Sequence, residues 1–116
     1  MLTHRLKVNM SPSAAPQLVH MSQRDTNARV VVELYSDDGI FVLESGTTAK
    51  IGGKRADGTQ VQEFPCIVDA ANSAVMFDVP EIMTAVPGSG TYDITLTHSG
   101  KDLRSSDIRI YIERAA

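Results

Sequence analysis

Residues 29–44 read RVVVELYSDDGIFVLE, two apolar runs that flank a polar turn. Val30, Val32 and Leu34 fall on one side of the first run and the intervening residues on the other, which is the two-residue period of a β-strand. The turn SDDG combines aspartates, which bond their own backbone, with a glycine that tolerates positive φ. We therefore predict a β-hairpin in which residues 40–44, IFVLE, form the returning strand.

The same period continues on both sides of this hairpin. It predicts further strands near residues 2–10, 17–22, 48–54, 60–68, 74–79, 91–97 and 103–112. Within them, Gly52 and Gly53 indicate a bulge or a close backbone approach, and Pro65 indicates an edge or bulged strand. About eight short strands with frequent turns predict an all-β fold, an antiparallel β-sandwich, with a small barrel as the alternative.

One stretch breaks the alternation. PEIMTAV, residues 80–86, has apolar residues at helical spacing, and Pro80 suits a first turn that needs no N–H donor. We predict one short helical turn there, ended by the following Pro-Gly. A single turn is marginal alone, so it must pack Ile82, Met83 or Val86 onto the core where the chain crosses between sheets.

Length and charge limit the function classes. The 116 residues predict a single domain spanning 1–116, and the net charge of −3 argues against nucleic-acid binding and against a polybasic membrane surface. No apolar run is long enough to span a membrane, and the N-terminal segment lacks the apolar core of a signal peptide. The one cysteine, Cys66, cannot form an internal disulfide, and its apolar neighbours predict a buried position.

Catalytic and metal-binding patterns are missing from the sequence. His4, His20 and His98 do not stand at metal-ligand spacing from one another, and the Asp37-Asp38-Gly turn is too short for a calcium loop. No Walker or GxSxG motif occurs. We therefore expect no enzyme, no cofactor and no metal.

Three tyrosines keep a second function class open. Tyr35, Tyr92 and Tyr111 all lie in predicted strands, where packing on the sheet is their ordinary role. Carbohydrate-binding sandwiches use such aromatic residues as stacking platforms for sugar rings. A glycan-binding module that contacts a host surface is therefore an alternative.

Four segments, in this order, resemble the N-terminal domain of phage baseplate upper proteins, a family related to the base domains of head fibres. They are residues 6–39, LKVNMSPSAAPQLVHMSQRDTNARVVVELYSDDG; residues 45–60, SGTTAKIGGKRADGTQ; residues 83–97, MTAVPGSGTYDITLT; and residues 108–116, IRIYIERAA. The resemblance covers nearly the whole chain. One departure is PGSGT after MTAV, where the family pattern has a shorter link.

The resemblance implies a structural protein of the virion, made in the host cytoplasm. Such domains dock onto other virion proteins and support fibre or receptor-binding parts, and a homo-oligomer, with a trimer as one option, is implied as well. A head-fibre base or a capsid decoration protein is the related alternative. Sheet edges are the natural docking elements, so Leu2, Leu6, Val8 and Met10 of the first strand are the candidate docking or oligomer contacts. An ordinary core strand is the other interpretation of the same alternation.

Overall fold

A computed structural model describes residues 2–11, 13–25 and 27–115. This part of the chain contains ten strands, one short helix and a 3₁₀ turn at Ala70–Asn72. The strands are β1 (Leu2–Asn9), β2 (Gln17–Ser22), β3 (Ala28–Ser36), β4 (Gly39–Ile40), β5 (Thr48–Lys54), β6 (Gln60–Asp69), β7 (Ala74–Asp78), β8 (Gly88–His98), β9 (Lys101–Arg104) and β10 (Ile108–Glu113). The helix α1 (Glu81–Thr84) lies between β7 and β8.

The strands form one continuous sheet in the order β1-β3-β7-β6-β5-β8-β10-β2, with β4 added to β3 and β9 added to β8. The sheet curls until its end strands, β1 and β2, lie side by side, so the architecture is a nearly closed barrel. The all-β prediction is confirmed, but a sandwich is not. The sheet also has more strands than the eight expected.

The prediction of a purely antiparallel sheet is wrong. β1 pairs with β3 in parallel, with Leu2 opposite Ala28, and β2 pairs with β10 in parallel, with Gln17 opposite Ile108. A half-buried strand alternates in the same way whatever the direction of its neighbour. The sequence pattern therefore carried no information on strand direction.

The irregularities that the glycines and the proline predict occur in the central strands β5 and β6. The register between β5 and β6 shifts between Ile51 and Gly53, which is the predicted irregularity. At Gly53 a side chain would collide with the backbone of Thr91 and Tyr92 on β8, so the predicted close approach is confirmed too. β6 pairs with β5 up to Cys66 and with β7 only from Ile67 onward, so Pro65 lies where one side of the strand is unpaired.

The predicted helical turn is confirmed as α1, preceded by Pro80, whose carbonyl accepts a hydrogen bond of 3.0 Å from the N–H of Met83. Met83 is buried in the core, whereas Ile82 faces outward. The turn joins β7, which pairs with β3, to β8, which pairs with β5. It thus caps the core where the chain changes from one part of the sheet to another.

The predicted returning strand of the first hairpin is wrong beyond Ile40. Only Gly39–Ile40 pair with β3 as a strand; the N–H of Phe41 still donates to the carbonyl of Leu34 at 3.3 Å, and residues 42–44 leave the ladder. The cause is the neighbouring strand: Glu33 already pairs with Ala74 of β7, and the N–H of Leu34 donates to the carbonyl of Ser73 at 2.8 Å. Because β7 occupies that edge of β3, the returning segment has no strand to join.

Candidate docking surfaces

The first strand, predicted to dock, divides into an exposed and a buried half. Leu2 is about half exposed and Leu6 is partly buried against the core, whereas Val8 and Met10 are core residues. The N–H of Met10 donates to the carbonyl of Tyr35, and the side-chain amide of Asn9 donates to the carboxylate of Asp37 at 3.1 Å. The last residues of β1 are therefore fixed within their own chain, and a docking role for this strand stays a prediction.

The free edge of β1 faces the free edge of β2, and we call this junction the seam. Val19 and Met21 of β2 are buried beside the core residues of β1. Farther along, Nε2 of His4 lies 3.8 Å from a carboxylate oxygen of Asp25, which follows β2. Side chains therefore fill the seam, although no strand ladder closes it.

A second unpaired region lies between residues 41–44 and β9, and we call it the groove. Its volume is about 370 Å³. Apolar side chains form much of its wall, and polar or charged ones form the rest. They are Phe41, Val42, Leu43, Leu96 and Leu103, and Glu44, Thr47, His98, Lys101 and Asp102.

The apolar wall of the groove is open because the side chains of Leu103 and Val42 remain exposed to solvent. Leu103 is the cross-strand partner of Leu96, so both side chains lie on the same face of the β8–β9 hairpin. Leu96 is buried in the core, yet Leu103 is 40% exposed. Across the groove Val42 is 74% exposed. The described chain therefore leaves part of this inward face of β9 uncovered.

Backbone edges border the groove on both sides. Among the described residues β9 pairs with β8 alone, and an antiparallel ladder uses every second residue, so half of the N–H and C=O groups of β9 point away from β8. On the other side, no backbone hydrogen bond joins Val42 or Leu43 to another residue in the described ranges. Such unpaired edges can accept an added strand.

Carboxylates outnumber basic side chains at the groove and in the turn that precedes it. In the wall, Glu44 and Asp102 are acidic and Lys101 is basic. Glu44 lies 2.8 Å from Nε2 of His98, whose other ring nitrogen is buried and has no hydrogen-bond partner in the described chain. The preceding turn adds two aspartates, at positions 37 and 38.

The tyrosines do not form a common surface. Tyr92 is buried, and burial raises its pKa. Tyr111 lies on the outside of β10, where its ring is 4.6 Å from that of His20, and Tyr35 lies on β3, which is not adjacent to β10. Tyr92 therefore offers no surface to a sugar ring, and Tyr35 and Tyr111 lie on strands that are not neighbours.

The thiol of Cys66 and the possible metal ligands lie in the following surroundings. Partial burial raises the pKa of the Cys66 thiol to about 12, so it stays protonated at neutral pH. Within residues 2–11, 13–25 and 27–115, no three His, Cys, Asp or Glu side chains meet in a way that could hold a metal ion. The same ranges contain no helix that is long and apolar enough to cross a membrane.

Sequence reasoning missed the groove, although one signal was present. IFVL, residues 40–43, is a run of four apolar residues where a half-buried strand needs only alternate ones. Such a run needs cover on both faces. The structure covers Leu43 and part of Phe41 and leaves the other two exposed.

Among solved structures, the chain is similar to the N-terminal domain of phage TP901-1 ORF48. The TM-score is 0.76 at 12% sequence identity, and the match covers 97% of this chain and 99% of that one. No protein-family model matches the sequence, and no curated protein matches it. At this identity the likeness shows a shared fold over the whole domain, and the fold therefore resembles that of a phage protein domain.

Proposed function

We propose that the chain is a structural domain of a phage virion, an adaptor that docks onto the baseplate and supports fibre or receptor-binding parts. The observation that carries this proposal is the likeness of fold, end to end, to the N-terminal domain of a phage protein. The four ordered segments that resemble baseplate upper proteins support the same role independently, because they are features of sequence.

The surface chemistry fits a protein that acts by contact. An apolar groove bordered by two unpaired backbone edges offers both hydrophobic area and main-chain hydrogen bonds to a partner. The partners are then other virion proteins and, in a symmetric assembly, further copies of the chain. Catalysis has no part in this role.

Location in the particle tests the proposal. Virions of the phage that encodes the chain are purified and imaged by electron cryo-microscopy after labelling with antibody fragments raised against the chain. We expect label at the baseplate. Label on the head instead would replace the baseplate role with that of a head-fibre base or capsid decoration protein, and particles that lack the chain altogether would refute a virion role.

Association in solution provides a second test. The chain is mixed with each purified virion protein, and the mass of each mixture is measured by size-exclusion chromatography with light scattering. A stable complex with a baseplate protein is expected. Labelled host cell-wall polysaccharide in place of the virion proteins tests the glycan alternative, for which we expect no binding.

A further inference from the structure

We propose that the groove takes up an extended segment of another virion protein, rich in alternating aliphatic and basic residues, which adds to β9 as a further strand. This inference rests on the proposed function and names the kind of partner that the docking surface recognises. The observations are the unpaired backbone of β9, the uncovered face of Leu103 and the acidic character of residues 36–45.

The backbone of β9 sets the mode of binding. A strand placed beside β9 would pair with the N–H and C=O groups that point away from β8. Across the groove, Val42 and Leu43 line the same space, and neither makes a backbone hydrogen bond in the described chain. An extended segment therefore finds hydrogen-bond partners at both walls, whereas a helix, whose backbone groups are paired internally, does not use them.

The apolar side chains of the groove wall favour aliphatic residues at every second position of the added strand. In a strand added to β9, alternate side chains would point to the same face as Leu103 and Leu96. That face meets Phe41 and Leu43 across the groove, and the volume of about 370 Å³ lies at the lower end of the range for binding pockets. Aliphatic side chains would cover the exposed part of Leu103.

The electrostatics select basic residues for the remaining positions. The wall of the groove carries two carboxylates, Glu44 and Asp102, against one lysine, Lys101, and Glu44 pairs with His98. The turn before residue 41 adds Asp37 and Asp38, and no ion pair joins either of them to a basic residue within the described chain. Lysine or arginine side chains on the outer face of the added strand would therefore be attracted, and carboxylates repelled.

Peptide binding tests the chemistry of the groove directly. The ¹⁵N-labelled chain is titrated with the capped peptide VKVKVKVK and its amide shifts are followed by NMR. We expect saturable shifts of the amides at 42–44 and 101–104. VEVEVEVE should not bind, and VKVKVKVK with N-methyl groups at every second residue should lose binding because its pairing edge is blocked.

Two matched variants distinguish peptide binding in the groove from a general attraction of the basic peptide to an acidic protein. Leu103→Asn should weaken the affinity for VKVKVKVK by about tenfold, as expected for one anchor residue at an interface. Leu18→Asn changes a leucine that is exposed on the outside of β2 and should leave the affinity unchanged. Equal binding of the lysine and glutamate peptides, or shifts elsewhere on the surface only, would overturn the inference. Concentration-dependent shifts at 42–44 and 101–104 without peptide would do so as well, because they would make a second copy the occupant.

Incorporation of the chain into phage particles tests this inference separately from the proposed function. Phage particles are produced with the wild-type chain, with Leu103→Asn or with Leu18→Asn, and the amount of chain in each particle is measured. Loss with Leu103→Asn alone is the expected result. Equal incorporation of all three would refute the groove as the docking site and keep the virion role, whereas absence of even the wild-type chain would refute the virion role itself.

Discussion

The seam and the groove are both places where the curled sheet lacks a strand ladder, yet their side chains differ. At the seam, Val8 of β1 and Val19 of β2 are buried, so each unpaired edge has the other for cover. At the groove, Val42 and Leu103 line an open space and both side chains are exposed. The barrel is thus closed by packing at one gap and left open at the other.

This contrast shows that a free backbone edge does not by itself mark a docking site. An edge strand is available to a partner only when its neighbours leave it accessible, and proteins commonly protect such edges by covering them. The seam is protected in this way by the core side chains of two strands and by the contact of His4 with Asp25. The groove has no such protection.

The largest expected difference in stability is between alanine variants of two leucines in the β8–β9 hairpin. Leu96 and Leu103 are cross-strand partners, but only Leu96 is buried. Leu96→Ala should lower the free energy of unfolding by about 3 kcal/mol, because it leaves a cavity in the core. Leu103→Ala should cost about 1 kcal/mol or less, because part of that side chain is already in water.

Urea denaturation followed by circular dichroism measures both leucine variants. Equal losses of stability would contradict the comparison, since they would mean that residues 41–44 close over Leu103 in solution.

A smaller difference in stability is expected between a valine at the seam and a valine at the groove. Val8 is fully buried and Val42 is 74% exposed. Val8→Ala should cost about 2 kcal/mol of stability, whereas Val42→Ala should change it by less than about 0.5 kcal/mol. The same denaturation experiment applies. A cost at Val42 close to that at Val8 would show that the groove is part of the core.

The position of most strands could be predicted from the alternation of residues alone. The predicted bounds 17–22 and 48–54 match β2 and β5, and the helical turn and the glycine irregularity occur where they were expected. Other boundaries moved because the local pattern does not resolve them. The predicted final strand, for example, divides into β9 and β10, and Gly88–Gly90 belong to β8 instead of a loop.

Neither the pairing of strands nor the site could be predicted in this way, because both depend on contacts that are distant in sequence. Val8 and Met10 alternate with polar residues as a docking strand would, but also as a core strand does, and the structure places them in the core. IFVLE lost its expected partner because β7 occupies the edge of β3. The groove exists because of that displacement.

The smallest expected effect concerns the turn between β5 and β6, whose charges are paired within the chain. The guanidinium of Arg55 donates to the carboxylate of Asp57 at 2.7 Å, and the N–H of Thr59 donates to the other carboxylate oxygen at 3.0 Å. These bonds lower the pKa of Asp57 from 3.8 to about 2. Asp37 and Asp38, in the turn that precedes the groove segment, have no such basic partner in the described chain.

The sign of the pH effect follows from the lowered pKa. The ionised form of Asp57 is favoured in the folded state, so its contribution to stability is present above about pH 4 and is lost as the pH falls through about 2. Because the pair is exposed to solvent, we expect a small contribution. Arg55→Gln should raise the titration midpoint of the Asp57 carboxyl toward 3.8 in a ¹³C NMR titration, whereas Arg109→Gln on β10 should leave it unchanged. If the midpoint of Asp57 stayed near 2 in Arg55→Gln, the hydrogen bond from Arg55 would not be what lowers this pKa. The contrast between this turn, whose carboxylate is paired within the chain, and the turn of Asp37 and Asp38, whose carboxylates have no basic partner in the described chain, would then fail.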